Sequence, residues 1–226
     1  MQIAIDGPAG AGKSTVARQV ALRLGYLYID TGAMYRALTY QVILDAVDPN
    51  NEEAVYSVLQ QLDLRLVPVK QANNVSCCVF IGDNEVTEQI RKPIVSQLVS
   101  AVSSHYKVRK EMVKLQQELA KSQDVVMDGR DITTTVLPDA ELKIYLNASV
   151  EERAKRRLLE LKSKGHPVEL DDLITQINQR DRLDSTRKVS PLRKAEDAVE
   201  IDTTMLTIDQ VVERILALAV RRENRV

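Results

Sequence analysis

The stretch Gly7-Pro8-Ala9-Gly10-Ala11-Gly12-Lys13-Ser14 matches the pattern G-x-x-x-x-G-K-[ST]. Ile3-Ala4-Ile5 before it predicts a short buried strand, and Thr15–Leu24 after it predicts an amphipathic helix. Glycines in such a loop allow backbone N–H groups to point at a phosphate, and the helix N-terminus adds partial positive charge. A chance glycine-rich turn would need neither flanking element. We therefore predict a phosphate-binding loop, with Lys13 on the terminal phosphates and the Ser14 hydroxyl on magnesium.

Length and composition predict one globular domain, or a domain with a small insert, in 226 residues of which 44% are hydrophobic. The net charge of −1 and the aromatic content of 4% argue against a nucleic-acid partner. No apolar run is long enough to span a bilayer, which predicts no membrane partner. The chain also opens without a basic segment followed by an apolar one, so we expect no secretion signal.

The two cysteines, Cys77 and Cys78, are adjacent in the sequence. Neighbouring residues on a strand point to opposite faces, so a disulfide bond between them is not expected. One cysteine pair without a nearby histidine is also a poor metal site. The cysteine content therefore favours a reducing compartment, the cytoplasm.

Short apolar strands alternate with helical patterns along most of the chain. The predicted strands are Gln2–Ile5, Tyr26–Ile29, Val125–Met127, Leu142–Leu146 and Val199–Ile201. This alternation is typical of α/β proteins, so we predict a three-layer αβα fold around a central parallel sheet of about five strands.

One segment, residues 62–88, interrupts the alternation. Leu62–Val67 alternates with period two, a turn is predicted at Gln71–Asn74, and Val75–Ile81 and Glu85–Thr87 follow as further strands. We predict a small antiparallel insert there. A second turn is predicted at Lys162–Pro167, between two charged helices.

Two polar patches follow predicted strands. They are Asp30–Arg36 after the second strand, and Asp128-Gly129-Arg130-Asp131 after Val125–Met127. Ligands bind at the carboxyl ends of strands in open α/β sheets. An acid in the position of Asp128 commonly lies near the magnesium of a phosphate-loop enzyme. The alternatives are a helix cap at Thr31 and a simple turn after the strand at residues 128–131.

Two further patches lie on predicted helices. Arg153 and Arg157 are four residues apart, so both guanidinium groups can face one anion. Arg180, Asp184 and Arg187 fall on one helix face by their spacing. Taken alone, such residues are more typical of solvated ion pairs within a helix. Several arginines beside a phosphate loop instead favour a common anion-binding crevice.

With these motifs the chain resembles the bacterial cytidylate kinases, which are nucleoside monophosphate kinases with a phosphate-loop core. The resemblance covers about residues 2–222. It is carried by the loop at 7–14, and by Asp30–Arg36, Lys107-Val108-Arg109, Asp128–Asp131, Val136–Ala140 and the stretch from Arg180 to Leu192. The insert lies where that family has a three-stranded element that helps to bind the monophosphate.

The resemblance implies transfer of the γ-phosphoryl group of ATP to CMP or dCMP. The acceptor is a phosphate whose second pKa is about 6, so it needs no general base. Catalysis is then positioning plus electrostatic stabilisation, for which an arginine-rich site is suited. The implied ligands are ATP, magnesium, CMP and dCMP, and the family is commonly monomeric.

The resemblance also assigns residues. ATP binding falls to Gly7, Pro8, Ala9, Gly10, Ala11, Gly12, Lys13, Ser14 and Thr15, and magnesium to Ser14 and, through water, Asp128. CMP binding falls to Thr31, Tyr35, Arg36, Ser100, Arg109, Arg130, Asp131, Arg180, Asp184 and Arg187. The catalytic residues are Lys13, Arg130, Arg153, Arg157 and Arg187, with Arg153 and Arg157 in a lid at residues 153–168.

Within this set, Arg36, Arg130 and Arg187 would surround the CMP phosphate, whereas Arg180 and Asp184 would hold the ribose. Thr31 replaces a serine of some relatives and keeps the hydroxyl.

Ser100, Arg109 and Asp131 would read the base. A carboxylate accepts from the N4 amino group of cytosine and an arginine donates to N3, whereas uracil reverses both polarities. One position departs from the family, since relatives usually have glycine where this chain has Thr133. A β-branched residue there means that the turn avoids positive φ or that the loop is shifted, which affects the pose of Asp131.

Two other functions compete with this interpretation. A kinase of the same architecture with another acceptor, such as UMP, AMP, dTMP or shikimate, would share most of the motifs. A GTPase switch would share the phosphate loop, but the chain has no Asn-Lys-x-Asp segment to read guanine. An arginine-rich second half also has no role in a simple switch.

Overall fold

The computed structural model describes residues 1–71, 74–121, 123–163, 165 and 168–223. The strands are β1 Gln2–Asp6, β2 Leu27–Asp30, β3 Leu64–Gln71, β4 Asn74–Ile81, β5 Asn84–Glu85, β6 Val125–Gly129, β7 Leu142–Asn147 and β8 Val199–Asp202. The helices are α1 Lys13–Leu24, α2 Thr31–Leu44, α3 Glu52–Gln61, α4 Pro93–Val102, α5 Tyr106–Ala120, α6 Val150–Ser163, α7 Leu170–Thr186 and α8 Ile208–Glu223. A 3₁₀ turn spans Gln89–Arg91, and one π-helical turn spans Ile132–Val136.

The central sheet has the strand order β2-β6-β1-β7-β8, and its strands pair in parallel. Successive side chains of β1 enter different apolar clusters. Ile3 and Ile5 pack with α1 and α8, whereas Ala4 packs on the other face with Met127 and Ile132. A period of two with both faces buried is the pattern of a sheet covered by helices on each side. The predicted three-layer α/β fold is therefore confirmed.

A second, antiparallel sheet has the order β3-β4-β5. Val79 on β4 is buried with Ala33 and Ala37 of α2, and Val75 packs against the cluster that contains α1. These contacts hold the small sheet against the helices that follow the phosphate loop and β2. Residues 72 and 73 of the predicted turn lie outside the described residues.

Helix α1 begins at Lys13, two residues earlier than predicted, because Gly12 takes the left-handed conformation that starts it. In the predicted turn at Lys162–Pro167, residues 164, 166 and 167 lie outside the described residues. Within the part of the chain that is described, no helix combines the length and apolar character needed to cross a membrane.

Candidate active site

The phosphate loop leaves the sheet at the carboxyl end of β1 and enters α1. Gly7 has φ +150°, and a Cβ built on it would lie 2.0 Å from the carbonyl oxygen of Leu146 on β7. Only glycine allows the backbone to pass so close to the neighbouring strand. The loop therefore lies close against the sheet at its first residue, and residues 9–15 line the cleft.

Lys13 is buried at the start of α1, and its Nζ donates a hydrogen bond to the carbonyl oxygen of Pro8 at 2.7 Å. Burial, together with the positive charge of Arg130, lowers the pKa of Lys13 well below its usual range. An ammonium group in this position is stabilised by any anion that enters the cleft. The geometry thus suits contact with a polyphosphate.

Asp128 lies opposite the loop at the end of β6. Its Oδ2 accepts a hydrogen bond from the Ser14 hydroxyl at 2.8 Å, and its Oδ1 accepts one from the Tyr28 hydroxyl at 2.9 Å. Burial raises the pKa of Asp128 to about 6, and the charge of Asp30 contributes in the same direction. A hydroxyl and a carboxylate at this separation are hard oxygen donors of the kind that magnesium takes when phosphates supply further ligands. These residues therefore fit a magnesium site.

Helix α2 is capped by Asp30 and not by Thr31. Asp30 Oδ1 accepts a hydrogen bond from the backbone N–H of Ala33 at 2.9 Å. Thr31 instead donates from its hydroxyl to the carbonyl oxygen of Asp128 at 2.8 Å. A Cβ at Gly129 would lie 2.6 Å from the Thr31 hydroxyl oxygen, so the two strand ends meet closely only because residue 129 is glycine.

The predicted base-reading residues converge from three elements. Arg109 on α5 donates to Asp131, which follows β6, and Arg187 lies 3.5 Å from the other oxygen of that carboxylate. Ser100 on α4 lines the same cleft. The guanidinium carbon of Arg109 lies 5.4 Å from the ring centroid of Tyr35, so the two side chains form a cation–π contact. The structure therefore places all of these residues together.

The predicted ribose and phosphate residues lie beside them. Arg130 Nε donates to Asp184 Oδ2 at 2.9 Å, and Arg180 Nε is 4.0 Å from the same oxygen. Burial opposes ionisation of Asp184, but Arg130 and Arg180 outweigh it and hold the pKa of this carboxyl below its usual value. Arg187 lies one residue beyond the end of α7, so it leaves the helix face predicted from spacing.

Arg36 also lines the cleft. Burial lowers the pKa of Arg36, and the charges of Arg91 and Arg130 contribute to the shift while Asp30 opposes it. Arg91, at the end of the 3₁₀ turn after the small sheet, pairs with Asp30 at 3.7 Å. Sequence reasoning missed Arg91, which stands in no motif. The excess of positive charge favours a bound phosphate.

Arg153 and Arg157 have separate partners. The buried Arg153 donates to the carbonyl oxygen of Ala9 at 3.0 Å and pairs with Asp181 at 2.7 Å, whereas Arg157 pairs with Glu160 at 2.6 Å. Arg157 lines the cleft. Arg153 instead ties α6 to the loop backbone and to α7. Their joint action on one anion stays a prediction.

Two interactions of the loop were not foreseen from the sequence. Arg156 donates to both the hydroxyl and the carbonyl oxygen of Thr203, at 3.0 and 2.7 Å, beside the loop residue Ala11.

Asp6, the last residue of β1, accepts hydrogen bonds from Ile132 and Thr133. The sequence could have indicated a role for Asp6, because it is an acid at the end of an apolar strand, directly before the loop.

A cleft of about 1290 Å³ joins these groups. Its lining includes residues 9–15 of the phosphate loop with Asp128, and also Arg109, Asp131 and Asp184; we refer to these two groups as the two ends of the cleft. A cleft with a polyphosphate cradle at one end and paired arginines and carboxylates at the other can hold two anionic ligands end to end.

The chain matches the family described as cytidylate kinase over residues 3–221. The chain belongs to the cytidylate kinase family. It is 55% identical over 214 residues to the cytidylate kinase of Oceanobacillus iheyensis, covering 95% of this chain and 91% of that protein. It is 53% identical over 225 residues to the cytidylate kinase of Bacillus subtilis, covering 100% and 98%. As a member of this family, the chain is a phosphotransferase that binds small nucleotides.

Among solved structures, an uncharacterized protein from Eubacterium ventriosum superposes with a TM-score of 0.50 at 13% identity, over 96% of this chain and 97% of that one. This likeness concerns the fold alone.

Proposed function

We propose that the protein transfers the γ-phosphoryl group of ATP to CMP or dCMP, giving ADP and CDP or dCDP. The observation that carries this proposal is the single cleft in which the phosphate loop faces the Arg130–Asp184 and Arg109–Asp131 pairs. Family membership supports the same reaction. The two ends of the cleft correspond to a donor and an acceptor.

At the donor end, residues Gly7 to Thr15 bind the ATP phosphates through backbone N–H groups and the Lys13 ammonium group. Ser14 and, through water, Asp128 would hold magnesium, which would supply positive charge to offset that of the ATP phosphates. Tyr28 donates to the Asp128 oxygen that faces away from Ser14, which fixes the carboxylate toward the hydroxyl. Arg157, which also lines the cleft, adds a further positive charge for the ATP phosphates.

At the acceptor end, Arg36, Arg130 and Arg187 bind the CMP phosphate. Arg180 and Asp184 bind the ribose, and Thr31 lies where the two strand ends meet. The acceptor oxygen is ionised at neutral pH, so the site needs no base to remove a proton. Its task is to offset charge while two polyanions approach, which is a function of fixed guanidinium groups.

Asp131, Arg109 and Ser100 distinguish cytosine from uracil. Arg109 and Asp131 are paired with each other, and that pair presents a donor next to an acceptor. Cytosine presents the complementary acceptor at N3 and donor at N4. Uracil would place donor against donor and acceptor against acceptor, leaving buried polar groups unpaired, at a cost on the order of 10⁴-fold in kcat/KM.

Residues 62–88 act as an inserted monophosphate-binding element of a single phosphate-loop core, residues 1–226. Residues 153–168 act as the lid that excludes water during transfer. We also propose a monomer in the cytoplasm, without nucleic-acid or membrane partners. The unbridged Cys77 and Cys78 support a reducing compartment.

A substrate panel tests the proposal. Purified protein with ATP and magnesium is assayed for ADP formation with CMP, dCMP, UMP, AMP, dTMP and shikimate, and the phosphorylated product is identified by mass. We expect the highest kcat/KM with CMP or dCMP. Turnover of UMP or AMP equal to that of CMP would overturn the assignment of the acceptor, and ATP hydrolysis without transfer would favour a nucleotide switch.

A further inference from the structure

Asp6 forms a buried connection that the proposed reaction does not use. Its carboxylate lies at the end of β1, directly before the phosphate loop, and is fully buried. Oδ1 accepts from the backbone N–H of Ile132 at 2.9 Å. Oδ2 accepts from both the backbone N–H and the hydroxyl of Thr133, at 2.8 and 2.6 Å. These three donors offset part of the lost hydration of the carboxylate, whose pKa burial still raises to about 6.

The same three donors belong to the turn that carries Asp131. The backbone N–H groups of Thr135 and Val136 donate to the carbonyl oxygen of Asp131 at 2.9 and 3.2 Å. The π-helical turn therefore holds Asp131 by its carbonyl group, and Asp6 holds the turn at its first two residues. The side chain of Asp131 is left to face Arg109 and Arg187.

Thr133 contributes the one donor of the three that depends on the identity of its side chain. The backbone donors of residues 132 and 133 would remain with glycine or alanine at position 133. Thr133 does not have a positive φ, so its Cβ is accommodated without strain. Thr133 is buried and does not line the cleft, which means that it acts on a substrate only through other residues.

We infer that Thr133 is a positioning residue: its hydroxyl, bound to Asp6, fixes the turn that carries Asp131 and so sets the preference for cytosine over uracil. The inference rests on the base-reading role proposed for Asp131. A carboxylate displaced by a fraction of an ångström keeps its charge but loses the alignment of its hydrogen bond, and discrimination between polar isosteres depends on that alignment.

The test compares Thr133→Val, which is nearly isosteric and lacks the hydroxyl, with Thr133→Ser, which keeps it. Thr134→Val is the matched control, because the Thr134 hydroxyl is buried in the same turn and has no hydrogen-bond partner among the described residues. For Thr133→Val we expect the KM for CMP to rise about three- to tenfold and the kcat/KM ratio of CMP to UMP to fall by a similar factor. The KM for ATP stays at the wild-type value, and both Thr133→Ser and Thr134→Val keep wild-type kinetics.

A purely structural role predicts a different pattern. Loss of folded enzyme lowers the apparent kcat with CMP and UMP equally and leaves KM unchanged, and that pattern would overturn the inference. Thr133→Ala, which adds no methyl group beside the Asp6 carboxylate, is measured in parallel with the same expectation, so that poor folding of the valine variant does not leave the question open.

A double-mutant comparison separates this inference from the function it rests on. If Thr133 acts through Asp131, Thr133→Val changes the CMP to UMP ratio by less than about twofold in the Asp131→Ala background. The same fold-change in both backgrounds overturns the inference alone. If Asp131→Ala keeps the wild-type CMP to UMP ratio, the base-reading role itself is wrong, and the inference falls with it.

Discussion

The two ends of the cleft are built in different ways. The donor end consists mainly of one continuous stretch, residues 7–15, which runs from the end of β1 into α1, with Asp128 beside it. The acceptor end is assembled from α2, α4, α5, the turn after β6 and the end of α7, through pairs such as Arg109–Asp131 and Arg130–Asp184. The continuous stretch encodes its own backbone geometry, whereas the assembled end depends on the whole fold to bring distant residues together.

The carboxylates at the two ends also differ in their electrostatics. Burial raises the pKa of Asp128, at the donor end, to about 6. Arg130 and Arg180 hold the pKa of Asp184, at the acceptor end, below its usual value despite burial. A bound cation would therefore stabilise the ionised form of the donor-end carboxylate, whereas arginines already stabilise that of the acceptor-end carboxylate.

The largest effect is expected from Lys13→Ala, which removes the ammonium group of the donor end. Charge on the transferred phosphoryl group then lacks its partner in a desolvated site, so kcat should fall by about 10³-fold with little change in the KM for CMP. Steady-state kinetics with both substrates varied measure this. Lys194→Ala, which removes an exposed lysine paired with Glu200, is the control and should keep wild-type kcat. A large rise in the KM for CMP would mean that the two ends are not separable.

The next effect concerns the acceptor end. Asp131→Ala leaves Arg109 buried without its carboxylate and removes the acceptor for the cytosine amino group. We expect the KM for CMP to rise by about 10²-fold and the preference over UMP to fall by at least as much. Asp139→Ala changes an exposed acid shortly after the same turn and serves as the control. Unchanged kinetics with CMP would contradict the base-reading role.

The two ends also differ in how far the sequence predicts them. Periodicity and the loop pattern predicted the parallel sheet, the insert and the position of Lys13, because each depends on neighbouring residues. Arg109 and Asp131 could be joined only through the family resemblance, since nothing local relates a residue on α5 to a turn after β6. Packing of α5 on the sheet brings these two residues together in the folded chain.

Some site residues could not be predicted at all. Arg91 reaches Asp30 because the small sheet packs on α2, and no pattern encodes that docking. Helical spacing pointed to Arg157 as a neighbour of Arg153, but it did not predict the contacts of Arg153 with Ala9, Ala148 and Asp181. Helical spacing predicts a shared direction for two side chains and does not determine the partners that each finds in the folded chain.

A smaller effect is expected from Arg187→Ala. Arg187 lies 3.5 Å from Asp131 and donates to the carbonyl oxygen of Ser190, so it would join the proposed base-reading and phosphate-binding parts of the acceptor end. We expect the KM for CMP to rise and kcat to fall, each by about tenfold, as one charge-assisted contact is lost. Arg193→Ala, at an exposed position, is the control. An effect on the KM for ATP alone would assign Arg187 to the donor end.

The smallest effect is on stability, and its sign should differ between the two ends. In metal-free protein with EDTA, the raised pKa of Asp128 means that the unfolded state releases this proton first, so the native state loses stability as pH rises from about 4 to about 6. Asp128→Asn removes that loss, so its free energy of unfolding relative to wild type should increase by about 2 kcal/mol between pH 4 and pH 7.

For Asp184 the lowered pKa stabilises the native state above the pKa of the unfolded chain. That stabilisation is lost as the pH falls through the native pKa. The deficit of Asp184→Asn should therefore shrink as the pH is lowered below about 4. Urea unfolding of both variants and wild type across this range measures the difference, and shifts of the same sign in both variants would contradict the electrostatic contrast between the donor and acceptor ends.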